Sequence, residues 1–172
     1  MKSSTRYHTL DILLLIFYAF NLFFNVYMID IEQVIITDPN HFTYPGWPPN
    51  FMIDLTHWYG HHFDPALIAR PAWWRAAIWV DVLFLGPFYA VAIYAHIKKK
   101  NWIRMPTIMW ACVLLTEMYI IIFEELKGVN ATPEAGRMLL ANAAWVIFPI
   151  LALIRMLPYP EPFSSSNPKN IH

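Results

Sequence analysis

The chain reads as an all-α membrane domain, a bundle of four transmembrane helices with a long luminal loop between the first and second. Two observations predict this. Of 172 residues, 58% are hydrophobic and only 14% charged, against about 25% charged in a soluble domain. The apolar residues also gather into four stretches, at about 12–31, 72–96, 102–124 and 138–157, each close to the roughly 20 residues a helix needs to cross hydrocarbon. One domain over residues 1–157 follows, with a tail from 158 to 172.

The first stretch follows Lys2 and Arg6, as a signal peptide would. Its apolar part is too long, however, and Asp30 and Glu32 stand where a small-residue cleavage site belongs, so it is expected to be retained. The second, third and fourth stretches contain Pro87, Pro106 and Pro149. Neighbouring helices can satisfy the carbonyls that proline leaves free, so kinks are expected, not breaks. The loop between the first two spans is rich in proline and aromatic residues, among them Pro45, Trp47, Pro48, Pro49, Trp58 and Tyr59. It suits a lid or an interfacial helix. The tail, from Pro158, has proline, serine and asparagine without apolar periodicity and reads as disordered.

Basic residues set the orientation. Lys2, Arg6, Lys98, Lys99, Lys100, Arg104, Arg155 and Lys169 flank one side, and Arg70, Arg75, Lys127 and Arg137 the other. The positive-inside rule then places both termini in the cytoplasm. A formal net charge of zero, without a basic stripe, sets nucleic acid aside as a partner. The single cysteine, Cys112, leaves no internal disulfide, so packing must hold the fold. His61, His62 and Asp64 are adjacent in sequence, but neighbouring histidines diverge and no second cluster completes a coordination shell, so no metal is expected. Asn130, Ala131 and Thr132 form a glycosylation acceptor, close to the membrane and followed by Pro133, where a glycan is not expected.

In each apolar stretch one acid or amide stands out: Asp30, Asp81, Glu117 and Asn142. Such groups are costly in lipid and face a protein interior or a cavity. Asp81 lies about nine residues into its helix, roughly 14 Å deep, and Glu117 about six residues from the same membrane face, roughly 9 Å. With Asp30 and Asn142 near that face too, all four fall in one half of the bundle. Trp145 follows Asn142 by three residues and shares its helix face. A cavity in the luminal half is the economical reading. Asp30 could also be solvated at the interface, and Asn142 could be interhelical glue.

These residues resemble a known family. Phe63, Asp64 and Pro65 ahead of Pro71, Ala72 and Trp73, then Asp81 with Gly86 and Pro87, look like the EXPERA domain, which includes a sterol isomerase and the sigma-two receptor. Asn142, Trp145 and Pro149 resemble the isomerase pattern in the last helix, and Glu117 with Glu124 its carboxylate pair in the third. Two positions depart from the isomerase: Val26 stands where a histidine precedes the first-helix acid, and Phe84 where a threonine follows the second. The resemblance implies the endoplasmic reticulum as location and a homodimer as a possible assembly. With it, Asp30, Asp81 and Glu117 are expected to be catalytic, and Asn142, Trp145, Asp64, Glu124 and Tyr119 to bind substrate.

The chemistry open to such residues needs no cofactor. Burial disfavours a charged carboxylate, and of two carboxyls close together one keeps its proton near neutral pH. A protonated acid beside an ionised base can isomerise a double bond or open an epoxide with hydration or cyclisation. The Trp145 π face would stabilise a developing cation by about 0.5 to 2 kcal/mol. No serine or cysteine nucleophile with a histidine partner occurs in the membrane half, which argues against acyl transfer. An enzyme acting on a sterol-, terpenoid- or polyketide-like lipophile is the first expectation. A non-catalytic binder of sterols or amphiphilic amines, pairing Asp30 with a ligand ammonium, is the second, and a scaffold with purely structural polar residues is the third. Membrane lipid and a lipophilic small molecule are the expected partners.

Overall fold

The computed structural model describes residues 2–164, with side chains from His8 onward. The described residues form helices joined by turns, without strands. Four helices are long and apolar enough to cross a membrane: His8–Ile35, Ala72–Ile97, Asn101–Lys127 and Ala135–Met156. The chain is a multi-pass membrane protein, and these helices are the first to fourth spans below.

The end of the bundle away from the long loop is closed by aromatic packing. Phe88 and Trp110 stack with ring centroids 5.2 Å apart, Tyr18 meets Trp110 edge-on at 5.3 Å, and Phe17 stacks on Phe148 at 4.4 Å. Leu14, Ala92, Ala95, Ala111 and Met156 fill the space between them. The small residues on the second and third spans let the helices approach, and the rings supply the buried area. A buried ion pair ties the first span to the fourth there: Arg155 Nε donates to Asp11 Oδ1 at 2.7 Å. Sequence reading had used Arg155 only to orient the chain.

The first two spans are not regular α-helices. Asn21–Asp30 and Asp81–Leu85 are wound as π-helix. The Ile31 N–H reaches the Val26 carbonyl and the Gly86 N–H reaches the Asp81 carbonyl, each five residues back. Pro87 explains part of the second wide turn, because it has no N–H to return to the preceding turn. The two widened segments pack on each other at Gly86, where a Cβ would lie 3.1 Å from Val26 Cγ1. Glycine is what lets these backbones close. Pro149 lies inside the fourth helix as expected. Pro106 sits in the first turn of the helix Arg104–Lys127, where a missing N–H breaks no interior bond.

The long loop folds into two helices, Asn50–Phe63 and Pro65–Ala69. Asp64 caps the second: its Oδ1 accepts the Leu67 N–H at 3.0 Å, and Pro65 occupies the first helical position, where proline is preorganised. Arg70, at φ 45°, ends the turn in the left-handed region. Loop and first span are then locked by charge. Arg70 Nη2 donates to both Glu32 oxygens at 2.9 and 2.8 Å, its Nη1 donates to the Ile36 carbonyl, and His57 Nε2 lies 2.8 Å from Glu32 Oε1. The Trp74 indole N–H adds a bond of 2.5 Å to Gln33 Oε1. The loop is thus a fixed roof, with its helix Asn50–Phe63 presenting Phe51 outward and placing Leu55 and Trp58, each half exposed, along the cavity beneath.

Disorder was expected from residue 158. Residues 165–172 lie outside the described residues, whereas 158–164 turn back onto the bundle. Phe163 packs against His96, ring centroids 5.2 Å apart, and beneath the Arg155 guanidinium at 5.0 Å. Arg155 Nη2 also donates to the Pro162 carbonyl at 2.7 Å.

Candidate functional site

Under the roof lies a cavity of about 370 Å³, shared by all four spans and the loop helix. Its wall is largely apolar, with Leu114, Met118, Ile121, Ile78, Phe24 and Ile29 among the contributors. Into it come Asp30 from the first span, Asp81 from the second, Glu117 from the third, Asn142 and Trp145 from the fourth, and Asp64 from the loop. A mostly apolar hollow with a few convergent polar groups is how small-molecule sites are built.

The π segments account for the placement of two of the acids. Asp30 closes the first wide segment and Asp81 opens the second, and such segments recur at functional sites because they turn a side chain off the regular helical track. Asp30, Asp81 and Glu117 are near enough to act on one another electrostatically. Asp30 is 2% exposed and Glu117 8%. Asn25 Nδ2 donates to Asp30 Oδ2 at 3.1 Å. Glu117 Oε2 is buried with no hydrogen-bond partner in the protein, so an occupant of the cavity is the natural source of one.

The fourth span presents an amide and an indole side by side. Asn142 Nδ2 is bound to the Met138 carbonyl at 3.1 Å. Trp145 Nε1 donates across the bundle to Asn21 Oδ1 at 2.8 Å, and Asn21 is fully buried, its own amide held by the Phe17 carbonyl at 2.9 Å. The N–H of the indole is therefore committed to protein, and the ring is what Trp145 offers the cavity.

Comparison with known proteins decides the family. Residues 51–156 match EXPERA, the EXPanded EBP superfamily. The chain belongs to the EXPERA superfamily. Among EXPERA relatives, sigma intracellular receptor 2 of Xenopus tropicalis is 27% identical over 151 residues, covering 81% of this chain and 88% of its own. Sigma intracellular receptor 2 of Homo sapiens is 31% identical over 121 residues, 62% of this chain and 69% of its own. The matched EXPERA stretch holds Asp64, Asp81, Glu117, Asn142 and Trp145, and it begins after Asp30.

Two of the expected site residues of this EXPERA chain stand apart from the cavity. Tyr119 is 70% exposed on the outer face of the third span, stacked on Phe123 with centroids 6.2 Å apart. Its position two residues after Glu117 turns it about 200° around the helix, away from the interior. Glu124 instead closes the turn after the third span, where its Oε1 accepts both the Asn130 backbone and side-chain N–H groups at 3.2 Å. Its neighbour Glu125 is the buried one, at 0% exposure, with the Asp64 carboxyl beside it. Sequence reasoning chose between adjacent acids by family pattern and passed over the one that points inward. Burial holds the Asp64 carboxyl above its usual range.

Asn21 and Asn25 were also missed. Both lie in the first apolar stretch, and an asparagine in hydrocarbon carries the same signal as Asn142. The geometry that pairs Asn25 with Asp30 is the π winding, which no spacing rule for α-helices anticipates.

Proposed function

We propose that the protein is a cofactor-independent acid–base enzyme of the membrane, acting on a sterol-, terpenoid- or polyketide-like lipophile. The reaction is isomerisation of a double bond or opening of an epoxide with hydration or cyclisation. One observation carries this reading: three carboxyl side chains from three spans meet in one largely apolar cavity beside an indole ring. Carboxyls gathered in such a place titrate as a set, with a proton retained on one member while another is ionised. Glu117, with an unpartnered buried oxygen, is assigned as the acid that protonates the substrate. Asp81 or Asp30 receives the proton released elsewhere on it. In epoxide opening the Glu117 proton moves to the ring oxygen as the C–O bond breaks, the electron pair of that bond staying on oxygen. Trp145 lies against the carbon that becomes electron-poor, and water or an internal alkene supplies the new bond.

A second reading is favoured by the relatives, which are named as receptors. In it the cavity binds a sterol or an amphiphilic amine, Asp30 pairs with the ammonium and no bond changes. The protein would reside in the endoplasmic reticulum with both termini cytoplasmic in either case, as a monomer or a homodimer.

Glu117→Gln separates the two. It keeps size and hydrogen bonding but carries no transferable proton, so under the enzyme reading a precursor isomer or epoxide accumulates in lipid extracts of cells carrying only this variant. Extracts matching the wild type, with Asp30→Asn abolishing amine binding, would establish the receptor reading instead.

A further inference from the structure

The partner of Asp30 is one that α-helical geometry would deny it. In an α-helix, residues five apart stand about 140° from each other, and the neighbour one turn back is the residue four before. Across Asn21–Asp30 the i to i+5 winding stacks residues five apart. Asn25 therefore comes over Asp30, its Nδ2 donating to Oδ2 at 3.1 Å. Val26, which α-helical spacing would put there, is turned into the core against Gly86. Asn25 and Asp30 both line the cavity.

We propose that Asn25 is a positioning residue that divides the work of the two Asp30 oxygens. Oδ2 is engaged by the amide, and Oδ1 is left as the single oriented oxygen that meets the occupant. The amide N–H needs a lone pair, so when Asp30 carries a proton the favoured place for it is Oδ1, facing the cavity. An ionised Asp30 likewise accepts through Oδ1. The occupant met there is a group with a directional N–H or O–H, such as a protonated tertiary amine or a hydroxyl, and not merely a positive charge. Asn25 itself does not titrate, so it orients the acid without competing for the proton. This inference rests on the cavity being a ligand site.

The test uses two cage cations of nearly equal size on the full chain in lipid nanodiscs, followed by calorimetry: 1-adamantyl-dimethylammonium, which has an N–H, and 1-adamantyl-trimethylammonium, which has none. Wild type is expected to prefer the first. Asn25→Leu, of similar volume but without a donor, is expected to lower that preference about tenfold, the equivalent of one charge-assisted hydrogen bond. Asn25→Ser, which keeps a short donor, is expected to recover part of it. A ratio of affinities cancels general loss of packing, which weakens both cations alike. If both variants keep the wild-type ratio, Asn25 does not orient Asp30. If the leucine variant does not fold, the serine variant decides, and an unchanged or raised ratio in it overturns the proposal. If wild type binds neither cation, Asp30 meets no directional donor and this inference fails, while the enzyme reading stands or falls separately on the Glu117→Gln test.

Discussion

Trp145 donates its indole N–H to Asn21 at 2.8 Å, joining the fourth span to the first across 124 residues of sequence. The pair fixes one wall of the cavity from behind, since Asn21 is fully buried and does not itself line the hollow. Asn21→Leu leaves a half-buried indole N–H unmade and is expected to cost about 1 to 3 kcal/mol. Adding Trp145→Phe removes the donor, and the double variant should recover part of the loss, with a coupling of about 0.5 to 3 kcal/mol. Thermal unfolding of the four members of the cycle in one detergent measures it. Additive losses would mean that the two residues act independently.

The roof depends on Glu32 and Arg70, whose side chains are 1% and 2% exposed. Arg70→Met leaves the buried Glu32 carboxylate with His57 alone beside it and is expected to destabilise by about 3 to 5 kcal/mol. Glu32→Leu combined with Arg70→Met removes both charges and should restore most of that stability. Limited proteolysis between residues 37 and 50 reads the same change locally: fast cutting in the single variant, slow cutting in the double.

Asp64 gives a pH dependence of known sign. Burial raises its carboxyl above the ordinary value of 3.8, so the folded protein holds a proton that the unfolded chain releases. The contribution of Asp64 to stability is therefore greatest on the acid side and declines as pH rises from 3.8 through the raised value. Asp64→Asn keeps an oxygen for the Leu67 N–H and has no charge to bury, and it should flatten this slope while leaving the melting temperature at neutral pH equal or higher. Glu125 lies beside Asp64, so Glu125→Gln belongs in the same series. A wild-type melting temperature that climbs steadily toward neutral pH would refute the assignment.

The acceptor sequence at Asn130 is expected to stay unmodified. Its amide Nδ2 donates to Glu124 Oε1 at 3.2 Å, and the Thr132 hydroxyl donates to the Phe63 carbonyl at 2.7 Å. Both groups a transferase would need are occupied in the fold. Endoglycosidase treatment should leave the electrophoretic mobility unchanged, and Glu124→Ala is the variant in which a shift would be most readily gained.

Hydrophobic run length made the four spans readable, because crossing lipid imposes a length that no loop imitates. The cost of polar groups in hydrocarbon likewise marked Asp30, Asp81, Glu117 and Asn142, and all four line the cavity. What escaped was set by direction, not composition. Glu124 and Glu125 are adjacent and chemically alike, and only the exact phase of the helix end decides which is buried. Tyr119 was expected at the site alongside Glu117, although two residues on a helix separate opposite faces. Glu32 and Arg70 find each other across 38 residues, a pairing that neither local pattern contains. The wide turns at 21–30 and 81–85 lay beyond any rule based on a period of 3.6.

Those wide turns make the length of the first span as binding as its chemistry. Asp11 answers to Arg155 at one end of this helix and Asp30 to the cavity at the other, and the residues between them hold the two ends in phase. Excising a single residue from the ordinary helix between Asp11 and Phe20 would leave the wide winding in place and swing one end by about 100° against the other, parting one acid from its station. Evolution can exchange side chains along this stretch with some freedom, but insertions and deletions between the two acids should be rare in chains that keep both.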